Sequence, residues 1–280
     1  MSLVLVLQNA ALRQCDLSAL HTIIPPAPEY TFNDSVLRLP VSADFQLAQS
    51  VQAQLLEQQI DFAIVPDQSF ADLGLIISDM DSTLITIECV DEIAAGVGLQ
   101  SQVAAITERS MRGEIDFEQS LRARVALLKG LPVTELQRVY ENVLKLSPGA
   151  QWLLQQCHEY DVKFMLVSGG FTYFTERLQR QYELDYTFAN QLVVKNDALT
   201  GELAGKIIDA QAKADLLAEY RDKLGLDKLQ VVAMGDGAND IPMLQAAGFG
   251  VAYHAKPKTQ AATSISVRFG GLDTVRKWFR

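Results

Sequence analysis

The chain has 280 residues, 49% of them hydrophobic and few of them Pro or Gly, so it folds around a sizeable core and exceeds one average domain. A net charge of -10 without any basic run argues against nucleic acid and anionic membrane as partners, leaving a small anion held by a few local cations. Three scattered cysteines, Cys15, Cys89 and Cys157, form no Cys-x-x-Cys and point to a reducing cytoplasm, and no apolar stretch approaches membrane-spanning length.

Residues 1–70 predict a small N-terminal α+β domain, with strand-like runs at Leu3–Leu7, Val36–Leu39 and Phe62–Val65, a Pro25-Pro26-Ala27-Pro28 loop and a helix near Phe45–Gln58. Leu3–Leu7 fails as a signal peptide, because no basic segment precedes it and Gln8-Asn9 interrupt it. Seven acids and two bases (Arg13 and Arg38) occupy this stretch, yet no nucleophile, base or metal ligands pair up in it, and His21 stands alone as a structural histidine does. Residues 67–72 read as a linker.

Leu75–Ser78 is apolar and partly β-branched, as a central parallel strand covered on both faces is. It delivers Asp79 and Asp81, two residues apart, into a turn at the strand's carboxyl end, where open α/β sheets bind ligands. Acids this close raise one another's pKa unless a cation or donors offset them. A lone Asp-x-Asp is equally at home as a helix-capping turn, so its meaning depends on the residues downstream.

Helical periodicity then runs from Glu88 to Leu146, through Val90, Ile93, Ala94 and Val97, then Phe117, Leu121, Val125 and Leu128, then Leu136, Val139, Tyr140 and Val143. Three or more helices inserted here stand over the strand ends as a lid. The predicted catalytic core is therefore 71–87 with 147–280, and the helical cap 88–146. Next come a helix over Ala150–Tyr160, a strand over Lys163–Val167, and Ser168-Gly169-Gly170 turning into a helix at Thr172. Gln191–Val194 and Leu199–Ala204 form a β-hairpin, and a helix from Asp209 to Leu224 carries Lys213. A second acidic strand end comes after it, Leu229–Ala233 running into Met234-Gly235-Asp236-Gly237-Ala238-Asn239-Asp240. Phe249–Tyr253, an edge strand at Ile265–Val267 and a terminal helix complete an α/β fold with a Rossmann-like, doubly wound parallel sheet.

Hard oxygen ligands in this number suit Mg2+, which binds through carboxylates, water and substrate phosphate. Asp79 is then free to act as nucleophile and Asp81 as general acid and base, while Ser168, the Gly169 N–H and Lys213 hold phosphate oxygens. Singly, each residue has a plainer use. Lys213 suits a surface lysine, Glu88 a helix-start acid, and Arg124 a solvated helix face, with Arg122 on a different side and near enough to Glu118 to pair with it. His158 and His254 are read as structural.

Asp79-Met-Asp-Ser-Thr-Leu84, Ser168-Gly-Gly170, Lys213 and Gly235-Asp-Gly-Ala-Asn-Asp240 resemble the four motifs of the haloacid-dehalogenase superfamily. Glu88-Cys-Val-Asp-Glu-Ile-Ala94, the run from Met111 to Arg124, Gly169-Gly-Phe-Thr172 and Ala252-Tyr-His-Ala-Lys-Pro257 are similar to its phosphoserine phosphatase family, and the likeness extends from Leu75 to the end. The resemblance implies magnesium-dependent hydrolysis of phosphoserine through an aspartyl-phosphate on Asp79, with Asp81 as acid and base. It implies that Asp79, the Asp81 carbonyl and Asp236 ligate Mg2+, supported by Asp240 and Asn239. Glu88 and Arg124 are implied to read the serine ammonium and carboxylate, and Met111 and Phe117 to wall the lid. Residues 1–70 resemble the variable N-terminal regions of longer bacterial members, lack the second half of a complete amino-acid-binding regulatory fold, and receive no ligand. A homodimer stays open, as do a phosphatase or phosphotransferase of another small metabolite and, outside enzymes, a phospho-accepting signalling receiver.

Overall fold

In this computed structural model, which describes residues 2–20, 31–33 and 35–280, the chain builds two sheets. The Pro25-Pro26-Ala27-Pro28 loop and His21 lie outside the described residues. The first sheet is antiparallel, ordered β2-β3-β1-β4, from β1 (Leu3–Gln8), β2 (Thr31–Phe32), β3 (Val36–Val41) and β4 (Asp61–Pro66), with α1 (Gln49–Glu57) before β4. Alternate residues of β1 point to opposite faces. Leu5 and Leu7 pack with Leu37, Leu39 and Leu55, whereas Val4 and Val6 join Ala63 and Val65 in the main hydrophobic core. Burial on both faces explains the unbroken apolar run. The helix starts later than expected, at Gln49, after an Ala48 that offers no side-chain cap.

Residues 67–72 form a packed joint and not a linker. Phe70 is fully buried, edge-on to Tyr160 and Phe279. The Phe70 N–H donates to the Arg280 carbonyl (2.9 Å), and the Arg280 N–H to the Gln68 carbonyl (3.0 Å). One large apolar side chain among polar neighbours is enough to anchor a segment whose composition reads as loop.

Main-sheet strands are β5 (Leu75–Ser78), β6 (Lys163–Phe171), β7 (Tyr186–Lys195), β8 (Ala198–Ala204), β9 (Val231–Gly235), β10 (Phe249–Tyr253) and β11 (Ile265–Val267). Their order is β11-β10-β9-β5-β6-β7-β8, parallel except for the β7/β8 hairpin, whose turn residues Asn196 and Asp197 both take positive φ. The chain leaves β5 toward β6 on one side and later returns to β9 on the other, and this reversal opens a crevice at the strands' carboxyl ends.

Between β5 and β6 stand α2 (Cys89–Gly96), α3 (Gln100–Met111), α4 (Phe117–Leu127) and α5 (Thr134–Asn142). They leave and rejoin the sheet through one paired neck: Ile85 bridges Leu146, the Thr86 N–H donates to the Lys145 carbonyl (3.0 Å), and the Ser147 N–H to the Leu84 carbonyl (2.9 Å). The Gly130 and Val133 N–H groups donate to the Leu199 and Asp197 carbonyls (2.8 and 2.9 Å), so the hairpin grips the far side of the insertion. The remaining helices are α6 (Ala150–Glu159), α7 (Thr172–Tyr182), α8 (Ala210–Lys223), α9 (Ile241–Ala246), α10 (Pro257–Ala261) and α11 (Asp273–Lys277). Among the described residues, no helix is long and apolar enough to cross a membrane.

Two boundaries differ from expectation. Ser168-Gly169-Gly170 continue β6 as extended backbone, with an irregularity between Val167 and Phe171, instead of forming a strand-to-helix turn. The strand expected to start at Leu229 begins at Val231, because Lys228–Gln230 form a 3-10 turn boxed by Asp227 and Gln230.

Candidate active site

All four residues of β5, three apolar and Ser78, are buried, and the chain then swings through a wide turn in which the Leu84 N–H donates to the Asp79 carbonyl (3.3 Å) and the Ile85 N–H to the Met80 carbonyl (3.0 Å). Ser82 takes a left-handed φ of 55° in this turn, and its hydroxyl donates to Glu88 Oε1 (2.7 Å), fixing that acid at the entrance to α2. Asp209 caps α8 by accepting from the Ala212 N–H, and the next residue, Lys213, sends its ammonium into the crevice. Its Nζ lies 2.7 Å from both Asp79 Oδ1 and Asp240 Oδ1. Asp240 folds back because position 235 is glycine, where a Cβ would come within 2.5 Å of its side chain. Its Oδ2 accepts the Gly237 N–H (3.0 Å).

Asp79, Asp236 and Asp240 each bring one oxygen within 4.8 Å of the others, while the Asp81 carboxyl stands outside that cluster. Burial pushes the Asp79 carboxyl well up, with Asp240 adding to the effect and Lys213 opposing it. Burial and then Asp240 raise Asp236 to about 7. Burial alone would lower the Lys213 pKa, but Asp240 and Asp79 reverse the sign and hold it above its ordinary value. Three carboxylates cluster here and one ammonium pairs with two of them, a crowding that a further cation relieves. Oxygen donors without histidine or cysteine fit a hard divalent ion.

Asp81 is pushed up to about 8, by burial first and by Glu88 second, with the Cys89 thiol and N–H opposing. Its Oδ1 is buried and has no hydrogen-bond partner. Arg124 Nε is likewise buried and unpartnered. Burial lowers the Arg124 pKa, against the pull of Asp91, Glu88 and Asp81. Asp81 and Arg124 both line one cavity of about 160 Å³, which suits a small metabolite and is below the span of drug-sized sites.

Of the predicted site residues, the cavity brings together Asp79, Asp81, Glu88, Phe117, Arg124, Ser168, Gly169, Asp236 and Asn239. Lys213 and Asp240 lie buried in contact with its floor through Asp79. Met111 is not brought in: it ends α3, is 74% exposed and does not line the cavity. Phe117 packs over Gly169, where a Cβ would lie 3.0 Å from its Cζ. Ser168 Oγ accepts the Gly170 N–H (2.8 Å), leaving its own proton to donate.

Sequence reasoning missed several residues. Val90 and Leu121 read as helix core yet wall the cavity, and Lys256 lies in the Ala252–Pro257 motif without a role. A side chain at Gly170 would stand 3.0 Å from Ser168 Oγ and 3.2 Å from Asp81 Oδ2. Asn190, buried in β7, donates to the Gly169 carbonyl and accepts from the Ile208 N–H, both at 2.8 Å, tying the Ser168 loop to the approach to α8. Its one available signal was an amide inside a strand-like run.

The profile of the haloacid dehalogenase-like hydrolase family matches residues 76–245. A phosphoserine phosphatase from Polaromonas sp. (strain JS666 / ATCC BAA-500) is 49% identical over 213 residues, covering 74% of this chain and 90% of that protein. The unliganded structure of a probable phosphoserine phosphatase from Vibrio cholerae superposes with a TM-score of 0.82 at 37% identity, over 99% of this chain and 85% of that one. A substrate-bound phosphoserine phosphatase structure gives a TM-score of 0.69 at 35% identity, over 74% of this chain and 99% of the other. With acids at two adjacent strand ends, a buried lysine between them and a helical insertion above, the chain belongs to the haloacid dehalogenase-like hydrolases, in their phosphoserine phosphatase family.

Proposed function

We propose that the protein hydrolyses O-phospho-L-serine to L-serine and phosphate through an aspartyl-phosphate on Asp79, with magnesium as its cation. The observation that carries this reading is the pair of buried orphans in one small cavity. Asp81 Oδ1 is a carboxyl oxygen without a partner, and Arg124 Nε is a cationic donor without one. A phosphorylated amino acid answers both, offering a leaving oxygen to the first and a carboxylate to the second.

Asp79 attacks phosphorus while the Asp81 proton passes to the departing seryl oxygen. The Asp81 carboxylate then takes a proton from the water that attacks the aspartyl-phosphate, releasing phosphate and restoring both acids. Burial and Glu88 keep Asp81 protonated at neutrality, as the first step requires. Ser168, the Gly169 N–H and Lys213 stabilise the charge on the phosphoryl oxygens. Glu88, held by Ser82, faces the substrate ammonium, and Phe117 over Gly169 shields the site from water. Magnesium would be held by Asp79, Asp236 and, by family likeness, the Asp81 carbonyl, with Asp240 and Asn239 in support, and would supply neutralisation of phosphate and carboxylate charge. The free thiols of Cys15, Cys89 and Cys157 fit a reducing cytoplasm.

A panel of small phosphomonoesters, assayed with magnesium and with excess chelator, tests the reading. Phosphoserine should be preferred over phosphoethanolamine and glycerol phosphate, and chelator should stop turnover until magnesium is returned. Equal rates across the panel, or full activity in chelator, would remove it.

A further inference from the structure

Asp79, Asp81, Glu88 and Asp236 all line the cavity, against two cations, Arg124 from the helical insertion and Lys256 from the core. Lys213 sits below, dividing its ammonium between Asp79 and Asp240. A doubly charged phosphate therefore meets a rim that carries four carboxyl groups beside these two cations.

The backbone builds Lys256 into that rim. Ala252 of β10 pairs with Gly235 of β9, so the two strands end side by side. Beyond them the Lys256 N–H donates to the Asp236 carbonyl (3.2 Å), and Pro257 opens α10. The Lys256 carbonyl accepts the Thr259 N–H (2.9 Å), and Gln260 Nε2 donates to the Ala255 carbonyl (2.7 Å). Ala255 and Thr259 are buried, which anchors the segment, while the Lys256 side chain is exposed and pairs with no carboxylate among the described residues. Its charge still lowers the pKa of Asp236 against the larger effect of burial.

We propose that Lys256 is a further substrate-binding residue, whose ammonium takes the phosphoryl oxygens of the incoming phosphomonoester at the cavity rim. The inference rests on the phosphomonoester reading and extends it to a second cation. Lys256 stands on the core with Asp79 and Asp236, whereas Arg124 belongs to the insertion, so Lys256 serves the phosphate end whatever alcohol is attached.

Inorganic phosphate is the probe, titrated into magnesium-loaded wild type, Lys256→Gln and Lys256→Arg. Phosphate should bind about tenfold more weakly to Lys256→Gln, the scale of one charged hydrogen bond at an accessible site, and within about threefold of wild type to Lys256→Arg. The kcat/KM for phosphoserine and for phosphoethanolamine should fall together in Lys256→Gln. Magnesium should bind at least as tightly, since a neighbouring cation is gone. Unchanged phosphate affinity in Lys256→Gln overturns the proposal. So does a loss confined to phosphoserine, which assigns Lys256 to the substrate carboxylate, or one that accompanies weakened magnesium binding, which makes it a support for Asp236. A wild type that binds phosphate but leaves phosphoserine intact sinks the substrate reading alone, because the phosphate titration still decides Lys256.

Discussion

Asp61 is buried and Asp81 half-buried with its Oδ1 out of water, and the regions around them treat them in opposite ways. At the seam between the two sheets, Asp61 accepts the N–H groups of Arg268 (2.7 Å), Phe269 (3.2 Å) and Gly270 (2.8 Å). Gln8 and Arg38 likewise donate to the carbonyls of Thr274 and Trp278, so the first sheet satisfies the backbone of the chain's last turns. At the end of β5 the protein leaves Asp81 Oδ1 without a partner and crowds three further carboxylates together, two of them on one lysine. A buried acid with its partners in place holds the fold together. One left without them stores interactions for a substrate and a cation to complete.

The largest expected effect lies on the unsatisfied side. Asp79→Asn keeps the shape of the strand end and removes the nucleophile, so turnover should fall by about three orders of magnitude or more while the fold survives. Phosphate release and the melting curve check both halves, and trapped phosphate on any other residue defeats the assignment. Arg124→Ala comes next. Truncating one member of a desolvated charge pair costs about 2–5 kcal/mol, so kcat/KM for phosphoserine should drop about 30-fold or more. Phosphoethanolamine, which lacks the carboxylate, should barely notice, and an equal loss on both substrates would mean that Arg124 supports the insertion and not serine recognition.

The unsatisfied region was largely legible in the sequence, and the satisfied one was not. Strand-end acids, glycines beside them and an insertion with helical period are local patterns, and Asp79, Asp81, Lys213, Asp236 and Asp240 were legible from them and from their family likeness. The seam depends on partners about 200 residues away in the chain: nothing near Asp61 announces that residues 268–270 will donate to it. Phe70, too, has its partners at Tyr160 and Phe279. Asn190 is hidden for the same reason, since its two bonds reach loops on separate motifs. Met111 is the converse case, a motif position that folding leaves exposed.

On the satisfied side the effects should be smaller and appear in stability. Asp61→Ala strands three backbone donors and should cost about 3 kcal/mol, or roughly 6–12 °C in melting temperature, with kcat unchanged. A chain starting near Ala71 keeps every proposed catalytic group yet loses Val4, Val6, Ala63, Val65 and Phe70 from the shared core, so it should melt well below the full chain while still hydrolysing substrate when folded. A folded Asp61→Ala protein with unchanged stability and reduced kcat would place that acid in the chemistry and erase the contrast.

The smallest expected effect sharpens the comparison through pH. In the metal-free protein Asp81 titrates at about 8 and Asp236 at about 7, both raised first by burial, whereas in the unfolded chain each releases its proton near the ordinary value of 3.8. Between about pH 4 and pH 8 the folded state therefore binds more protons than the unfolded one. Stability from these two groups is full below the unfolded value and is lost as pH rises through the folded values. With chelator present, the melting temperature should fall from pH 5 to pH 8 relative to an Asp81→Asn reference, whose curve should be flatter. Added magnesium should raise it more at pH 8 than at pH 5, because the cation binds the ionised carboxylates and displaces their protons. Melting curves at pH 5, 6.5 and 8, with and without magnesium, give the comparison. If the chelated protein instead gains stability across that window relative to Asp81→Asn, Asp81 is already ionised at neutrality and its place as the general acid loses its physical basis.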